Sequence, residues 1–153
     1  MTEQTTAREA CDLGWSITMI GRGYAAVIDP VFADFPRGAR GYQLLHTVIH
    51  NDIRTQIALA DYLGVDRTVM PYLVDDLQLA GYVERQNDPT DRRVRTVIAT
   101  PEGMAKYEEL SHRVLTAEQE FFAGVPLEKR GPFLDVLADL AHTSRNISRP
   151  AAR

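Results

Sequence analysis

The stretch ERQNDPTDRRVRTVIATPEG, Glu84 to Gly103, carries four arginines, Arg85, Arg92, Arg93 and Arg95, around a turn rich in Asn, Asp and Pro. A guanidinium stays charged at physiological pH and presents five N–H donors in a rigid fork, which suits phosphates and the negative potential of a narrow DNA minor groove. Arg92 and Arg93 lie at the turn and are placed to approach such a groove. Arg85 and Arg95 lie farther back, where phosphates or acidic neighbours are the expected partners. Asp91 would be repelled by phosphate, so its expected role is to orient one arginine through a bidentate pair. A solvated, salt-linked hairpin is the bland alternative, and the elements around the turn decide between the two.

Overall charge makes any such site local. Seventeen basic against 21 acidic residues leave a formal charge of −4, which argues against indiscriminate polyanion binding but leaves room for a basic patch. With 153 residues and 44% hydrophobic content, one folded unit is the default. The single cysteine, Cys11, excludes an intrachain disulfide and a multi-cysteine zinc site; it is read as an inert thiol, with oxidant sensing as the alternative. The N-terminus lacks the basic flank and apolar run of a signal peptide, and ITMIGRGYAAVI is too short and interrupted to span a bilayer. No membrane partner and a cytoplasmic location are therefore expected.

Two short strands, YVERQ and RVRTVIA, flank the arginine-rich turn. Before them, TQIALADYLGV places Ile57, Ala58, Leu59, Tyr62 and Leu63 on or near one side of a short helix that Gly64 stops. Asp66 is positioned to cap a second helix with an apolar stripe of Val69, Leu73, Leu77 and Ala80, ended by Gly81. Two helices and a hairpin in this order describe a winged helix-turn-helix. Upstream, Trp15, Ile20, Tyr24, Val27 and Ile28 recur at helical spacing despite Gly14, Gly21 and Gly23. A connector containing Pro36, Gly38 and Gly41 leads from there to a helix in YQLLHTVIH. Downstream, Thr100, Pro101 and Glu102 form a helix start for a run to Phe122. A last helix follows, with Phe133, Leu134, Leu137 and Leu140 inward and Pro132 weakening its early turns. The expected fold is mainly α, one subunit over 1–153, with N-terminal helices in 10–50, the winged helix-turn-helix in 54–100 and C-terminal helices in 101–148. The first nine residues and the final SRPAAR are expected to be loose.

The segment LADYLGVDRTVMPYLVDDLQLAGYVERQNDPTDRRVRTVIATPEG, with its helix pair, LAGYVER approach, DPTDRR wing and TPEG helix start, resembles the MarR family of bacterial transcriptional regulators. The resemblance extends over nearly the whole chain. It implies that the first and last two helices form a homodimer interface, that the central region binds a double-stranded DNA operator, and that Arg93 is the minor-groove arginine of the wing. The apolar residues on those terminal helices independently favour two subunits. Pro71, next to Met70, departs from the pattern and is expected to narrow or bend the start of the second helix, because proline lacks a backbone donor.

In the winged arrangement the second helix enters the major groove, and Arg67, Thr68, Pro71, Asp75 and Gln78 lie outside its apolar stripe. Arg67 and Thr68 are nearest its N-terminus, where one touches base edges while helix amides meet phosphate, or both are simply solvated. Pro71 offers an apolar contact to a thymine methyl, Gln56 a phosphate contact or a surface cap, and Tyr72 a phosphate donor or a structural ring. The resemblance further implies a small aromatic or anionic effector near Trp15, Tyr24, His46, His50 and Arg54, although Trp15 and Tyr24 also read as ordinary packing. No catalytic constellation, cofactor motif or metal site is expected. Arg22 in GRG lacks the strand context of a dinucleotide loop, and adjacent Asp75 and Asp76 do not share a helix face. The reading is a ligand-responsive operator-binding regulator, a repressor rather than an enzyme. The alternative is a dimeric ligand-binding or scaffold protein without effective operator binding.

Overall fold

The computed structural model describes residues 12–148. Cys11, the first nine residues and the tail from residue 149 onward lie outside them, so the readings placed there have no structural counterpart.

Helix α1, Leu13–Ile28, starts at Asp12, whose carboxylate accepts the N–H of Gly14 at 3.1 Å. Its three glycines do not interrupt it. A 3-10 turn, Asp29–Phe32, and buried Phe32 and Phe35 carry the chain into α2, Gly38–His50. Gly41 belongs to this helix, not to the connector: a Cβ there would fall 2.0 Å from the carbonyl oxygen of Pro36, so only a bare Cα permits the approach. Helices α3, Gln56–Leu63, and α4, Met70–Leu79, form the helix-turn-helix. Strands β1, Val83–Asn87, and β2, Arg95–Ala99, pair antiparallel, with Val83 opposite Ala99 and Asn87 opposite Arg95. Thr55, just ahead of α3, bridges Thr96 on the other side of β2, and the N–H of Val97 donates to the Arg54 carbonyl at 2.8 Å. The wing is thereby tied to the first helix of the pair as well as to the second.

Helix α5, Pro101–Phe121, begins as the sequence implies, with Thr100 accepting the Gly103 N–H at 3.0 Å, Pro101 in the first turn and Glu102 beside it. Helix α6, Leu127–Ser148, runs through Pro132. The core gathers Leu44 and Leu45 of α2, Leu59 of α3, Val83 and Val97 of the sheet and Leu110 of α5 around one face of α4. That face is Met70, Leu73, Val74 and Leu77, an i, i+3, i+4, i+7 stripe, in place of the expected one through Val69 and Ala80. Val69 is 45% exposed and Ile57 60% exposed. Leu73 and Leu77 are buried as expected, while Met70 and Val74 take the places expected for Val69 and Ala80.

The terminal helices depart from expectation in a consistent way. Leu134, Leu137 and Leu140 of α6 are exposed in the single chain, as are Trp15 and Ile20 of α1. Of the four residues expected inward on α6, Phe133 alone packs, against Phe122 with ring centroids 6.0 Å apart. Within one chain α6 has no buried residue at all among those described.

Candidate nucleic-acid interface

Two local devices build the corner between α3 and α4. Gly64 ends α3 with φ 64° and ψ 29°, a left-handed conformation that strains any Cβ, and the Val65 N–H returns to the Ala60 carbonyl at 3.0 Å. Asp66 does not cap the next helix as expected, since Val69 precedes its first residue and no side chain caps it; the Asp66 carboxylate shapes the turn ahead of the helix instead. One of its carboxylate oxygens accepts the Thr68 backbone N–H at 2.7 Å and the Thr68 hydroxyl at 2.6 Å, and its carbonyl accepts the Met70 N–H at 3.0 Å. The Thr68 hydroxyl first, and its N–H second, hold the Asp66 carboxyl below the usual aspartate range. Arg67 and Thr68 thus lie in the turn that leads into α4. Pro71 is the second residue of the helix, where no intrahelical partner awaits an N–H, so the expected disturbance gives way to a favourable first-turn proline.

The wing repeats the same Asp-x-Thr device. Asp88 accepts the Thr90 hydroxyl at 2.5 Å, the Thr90 N–H at 2.7 Å and the Asp91 N–H at 3.2 Å, while its own N–H closes the loop onto the Val94 carbonyl at 2.8 Å. The Thr90 hydroxyl is again the leading cause that lowers the carboxyl's pKa. Asp91 accepts the backbone N–H of Arg93 at 3.0 Å instead of gripping a guanidinium. This corrects the expected bidentate pair: the amide two residues on is within reach of a short side chain, and the carboxylate shapes the turn. Arg92, Arg93 and Arg95 are exposed, and none of the ion pairs formed among the described residues uses them.

Arg85 behaves differently from the other wing arginines. With its side chain only 16% exposed, it donates to Gln56 of α3 and Gln78 of α4, each at 2.8 Å, and to the Pro71 carbonyl at 3.3 Å, and it pairs with Asp75 at 2.6 Å. One guanidinium therefore joins the first strand of the wing to both helices, meeting the acidic neighbour foreseen for it. Gln56 is held by this contact; the cap of α3 is Thr55, whose hydroxyl accepts the Ala58 N–H at 3.3 Å. On the other flank of α4, Asp76 pairs with Arg37, which stands in the left-handed region at φ 60° just before α2. Both aspartates of the pair dismissed as an acid and base are thus structural anchors.

The outward surface of the helix-turn-helix includes Thr68, Val69 and Tyr72, the last 63% exposed, with Pro71 partly covered beside them. Arg67 is exposed but engaged, its guanidinium gripping both carboxylate oxygens of Asp61 at 2.9 to 3.1 Å. A base contact by Arg67 would have to share or break that pair.

The proposed effector residues do not all converge. Tyr24 and His46 line a cleft of about 590 Å³ between α1, α2, α3 and α5. His50 packs beside it, its ring 4.8 Å from that of His46 and edge-on to that of Tyr107 at 5.0 Å. Trp15 is 60% exposed and Arg54 pairs with Asp52 at 3.4 Å; neither lines the cleft. Arg54 instead lends positive potential to Asp88 of the wing. Sequence reasoning missed Tyr42, Tyr107 and Glu118. Tyr107, Ser111, Val114 and Glu118 recur at helical spacing along α5, a signal that was present in the chain. Tyr107 contacts His46 Nδ1 at 2.9 Å and stacks on Tyr42 with centroids 5.5 Å apart, and the Tyr24 hydroxyl donates to Glu118 at 2.9 Å. Burial and then Glu118 push the Tyr24 phenol up, while partial burial and then His50 push His46 down, keeping the imidazole neutral near pH 7. Among the described residues no group of three or more His, Cys, Asp or Glu could hold a metal, and no helix is long and apolar enough to cross a membrane.

A MarR family model matches residues 38–94. A Thauera aromatica protein named for transcriptional regulation of the hcr operon is 30% identical over 99 residues, covering 65% of this chain and 60% of that protein. The HTH-type transcriptional regulator YdgJ of Bacillus subtilis (strain 168) is 28% identical over 105 residues, 69% of this chain and 64% of its own length. The chain thus spans less than two thirds of the curated relatives it matches. Among solved structures, CouR from Rhodococcus jostii RHA1 bound to p-coumaroyl-CoA is 27% identical with a TM-score of 0.74, covering 85% of this chain and 92% of that one.

Proposed function

We propose that this chain, like the MarR family transcriptional regulators it is similar to, binds a pseudo-palindromic operator as a homodimer and represses transcription until a small molecule releases it. The observation that carries the DNA-binding reading is the exposed face of α4 beside three wing arginines that no described carboxylate neutralises, both held on one scaffold by Arg85. Thr68 and Tyr72 face the major groove in this reading and Arg93 the minor groove, with Arg92 and Arg95 on phosphates. The cleft is the effector site, and release requires a ligand that binds the DNA-incompatible state more tightly.

Selection of genomic fragments by the purified protein tests the operator reading. It should enrich an inverted repeat, and Arg93→Ala should weaken binding to that repeat roughly tenfold without unfolding the protein. No enrichment at low salt would favour the rival reading, a dimeric ligand-binding protein without operator discrimination.

The exposed apolar residues of α1 and α6 support the dimer. Two subunits joined through them would set the recognition helices roughly 34 Å apart, one DNA turn. Light scattering should give twice the chain mass down to low micromolar concentration, and a folded monomer with and without operator would sink this part of the reading.

A further inference from the structure

The cleft between α2 and α5 carries no lysine or arginine in its lining. Its polar groups are hydroxyls, Tyr24, Tyr42, Tyr107 and Thr47 among them, the amide of Gln43, the imidazole of His46, and one carboxylate, Glu118. Resting on the reading of this cleft as the effector site, we propose that it selects a small aromatic amine and disfavours aromatic carboxylates, with Glu118 as the counter-ion.

Three features lead there. Glu118 is half-buried, and one of its oxygens accepts the Tyr24 hydroxyl at 2.9 Å while no described lysine or arginine pairs with it. A carboxylate keeps further lone pairs after one such bond, and an ammonium in the cleft would supply the missing positive charge. The stacked rings of Tyr42 and Tyr107, 5.5 Å apart, present π surface to both an aromatic ring and a cation. An anionic ligand, by contrast, would be desolvated beside Glu118 with no lysine or arginine in the lining to offset the loss. His46 does not fill that role, because its surroundings favour the neutral imidazole.

Two arginines outside the lining have partners of their own. Arg145 lies with its guanidinium carbon 4.4 Å over the Tyr62 ring, and Arg113 is 3.8 Å from Glu109 on α5. This chemistry narrows the aromatic or anionic class that the resemblance implies, and it removes the anionic half.

Two ligands with the same phenol ring decide the matter. Titration calorimetry on the full chain with tyramine and with 3-(4-hydroxyphenyl)propionate, at about pH 7.5 where amine and acid are both charged, should show tyramine binding at least about tenfold more tightly. Glu118→Gln keeps an acceptor for Tyr24 and should bring the two affinities within about threefold of each other. Equal or tighter binding of the propionate, no binding of either compound, or a preference that survives Glu118→Gln in folded protein would each overturn the proposal. Release of operator DNA is read separately. Tyramine that binds with the stated preference and leaves DNA affinity unchanged upholds this inference and sinks the effector reading on which the cleft's regulatory role depends.

Discussion

Arg85→Ala is expected to lower the unfolding free energy by about 2 to 3 kcal/mol and to reduce operator affinity by about a hundredfold, the largest effect on DNA binding of any wing arginine. The reason is position. Arg92 and Arg93 are exposed at the tip, whereas Arg85 is nearly enclosed and bonds to Gln56, Gln78, the Pro71 carbonyl and Asp75. Truncation leaves the Pro71 carbonyl and two amide oxygens without their donor and Asp75 without its counter-ion; Asp75 is 57% exposed, so water recovers part of that loss. Arg85→Lys should rescue little, since an ammonium has no planar fork to reach three elements at once. Urea unfolding and DNA-binding isotherms on Arg85→Ala, Asp75→Asn and the double variant measure this. Additive losses in that cycle would show that Arg85 and Asp75 do not act as a unit.

Gly103→Ala should be at least as damaging to stability, although alanine is the better helix former. A Cβ at this position would lie 1.9 Å from the carbonyl oxygen of Tyr82 and 2.8 Å from its carbonyl carbon, both backbone atoms that no rotamer change can move. Helix propensity favours alanine by about 1 kcal/mol, but forcing α5 away from the end of the α4 turn costs about 3 kcal/mol or more. The second term wins. The displacement would also strain the bonds that Thr100 makes to the carbonyls of Tyr82 and Gly81, the joint between the wing and α5. Gly131 of α6 is the control. Nothing lies within 4 Å of its added Cβ, so Gly131→Ala should be neutral or gain up to about 1 kcal/mol. Thermal unfolding of the two variants side by side checks the contrast, and equal stabilities would refute it.

Local chemistry was legible in the chain, and distant chemistry was not. Thr100-Pro101-Glu102 and Gly64 announce their roles because a cap or a left-handed turn involves only residues within four positions. The order of helices and strands followed from such signals. Arg85 could be assigned only to phosphates or acidic neighbours, because its partners lie 29, 14, 10 and 7 positions away and meet only when the wing folds back on the helix pair. Asp91 was misread for a related reason: charge alone favours a guanidinium, while the tight turn brings an amide closer. The cleft shows the same division. His46 and Tyr24 were named from their types, but Arg54 faces the wing, and the carboxylate that sets the cleft's charge, Glu118, sits on a helix read only for its start and its length.

The paired anchors of α4 bear on how salt titrations should be interpreted. Asp75 and Asp76 fasten opposite flanks of this helix to Arg85 and Arg37, and in the Arg37 pair both side chains are more than 40% exposed. Added electrolyte weakens such a surface pair at the same time as it competes for DNA phosphates. The logarithmic dependence of operator affinity on salt would therefore combine two processes, release of counterions from the duplex and loosening of the helix that reads it. A count of phosphate contacts taken from the slope alone would exceed the number of arginines that touch DNA.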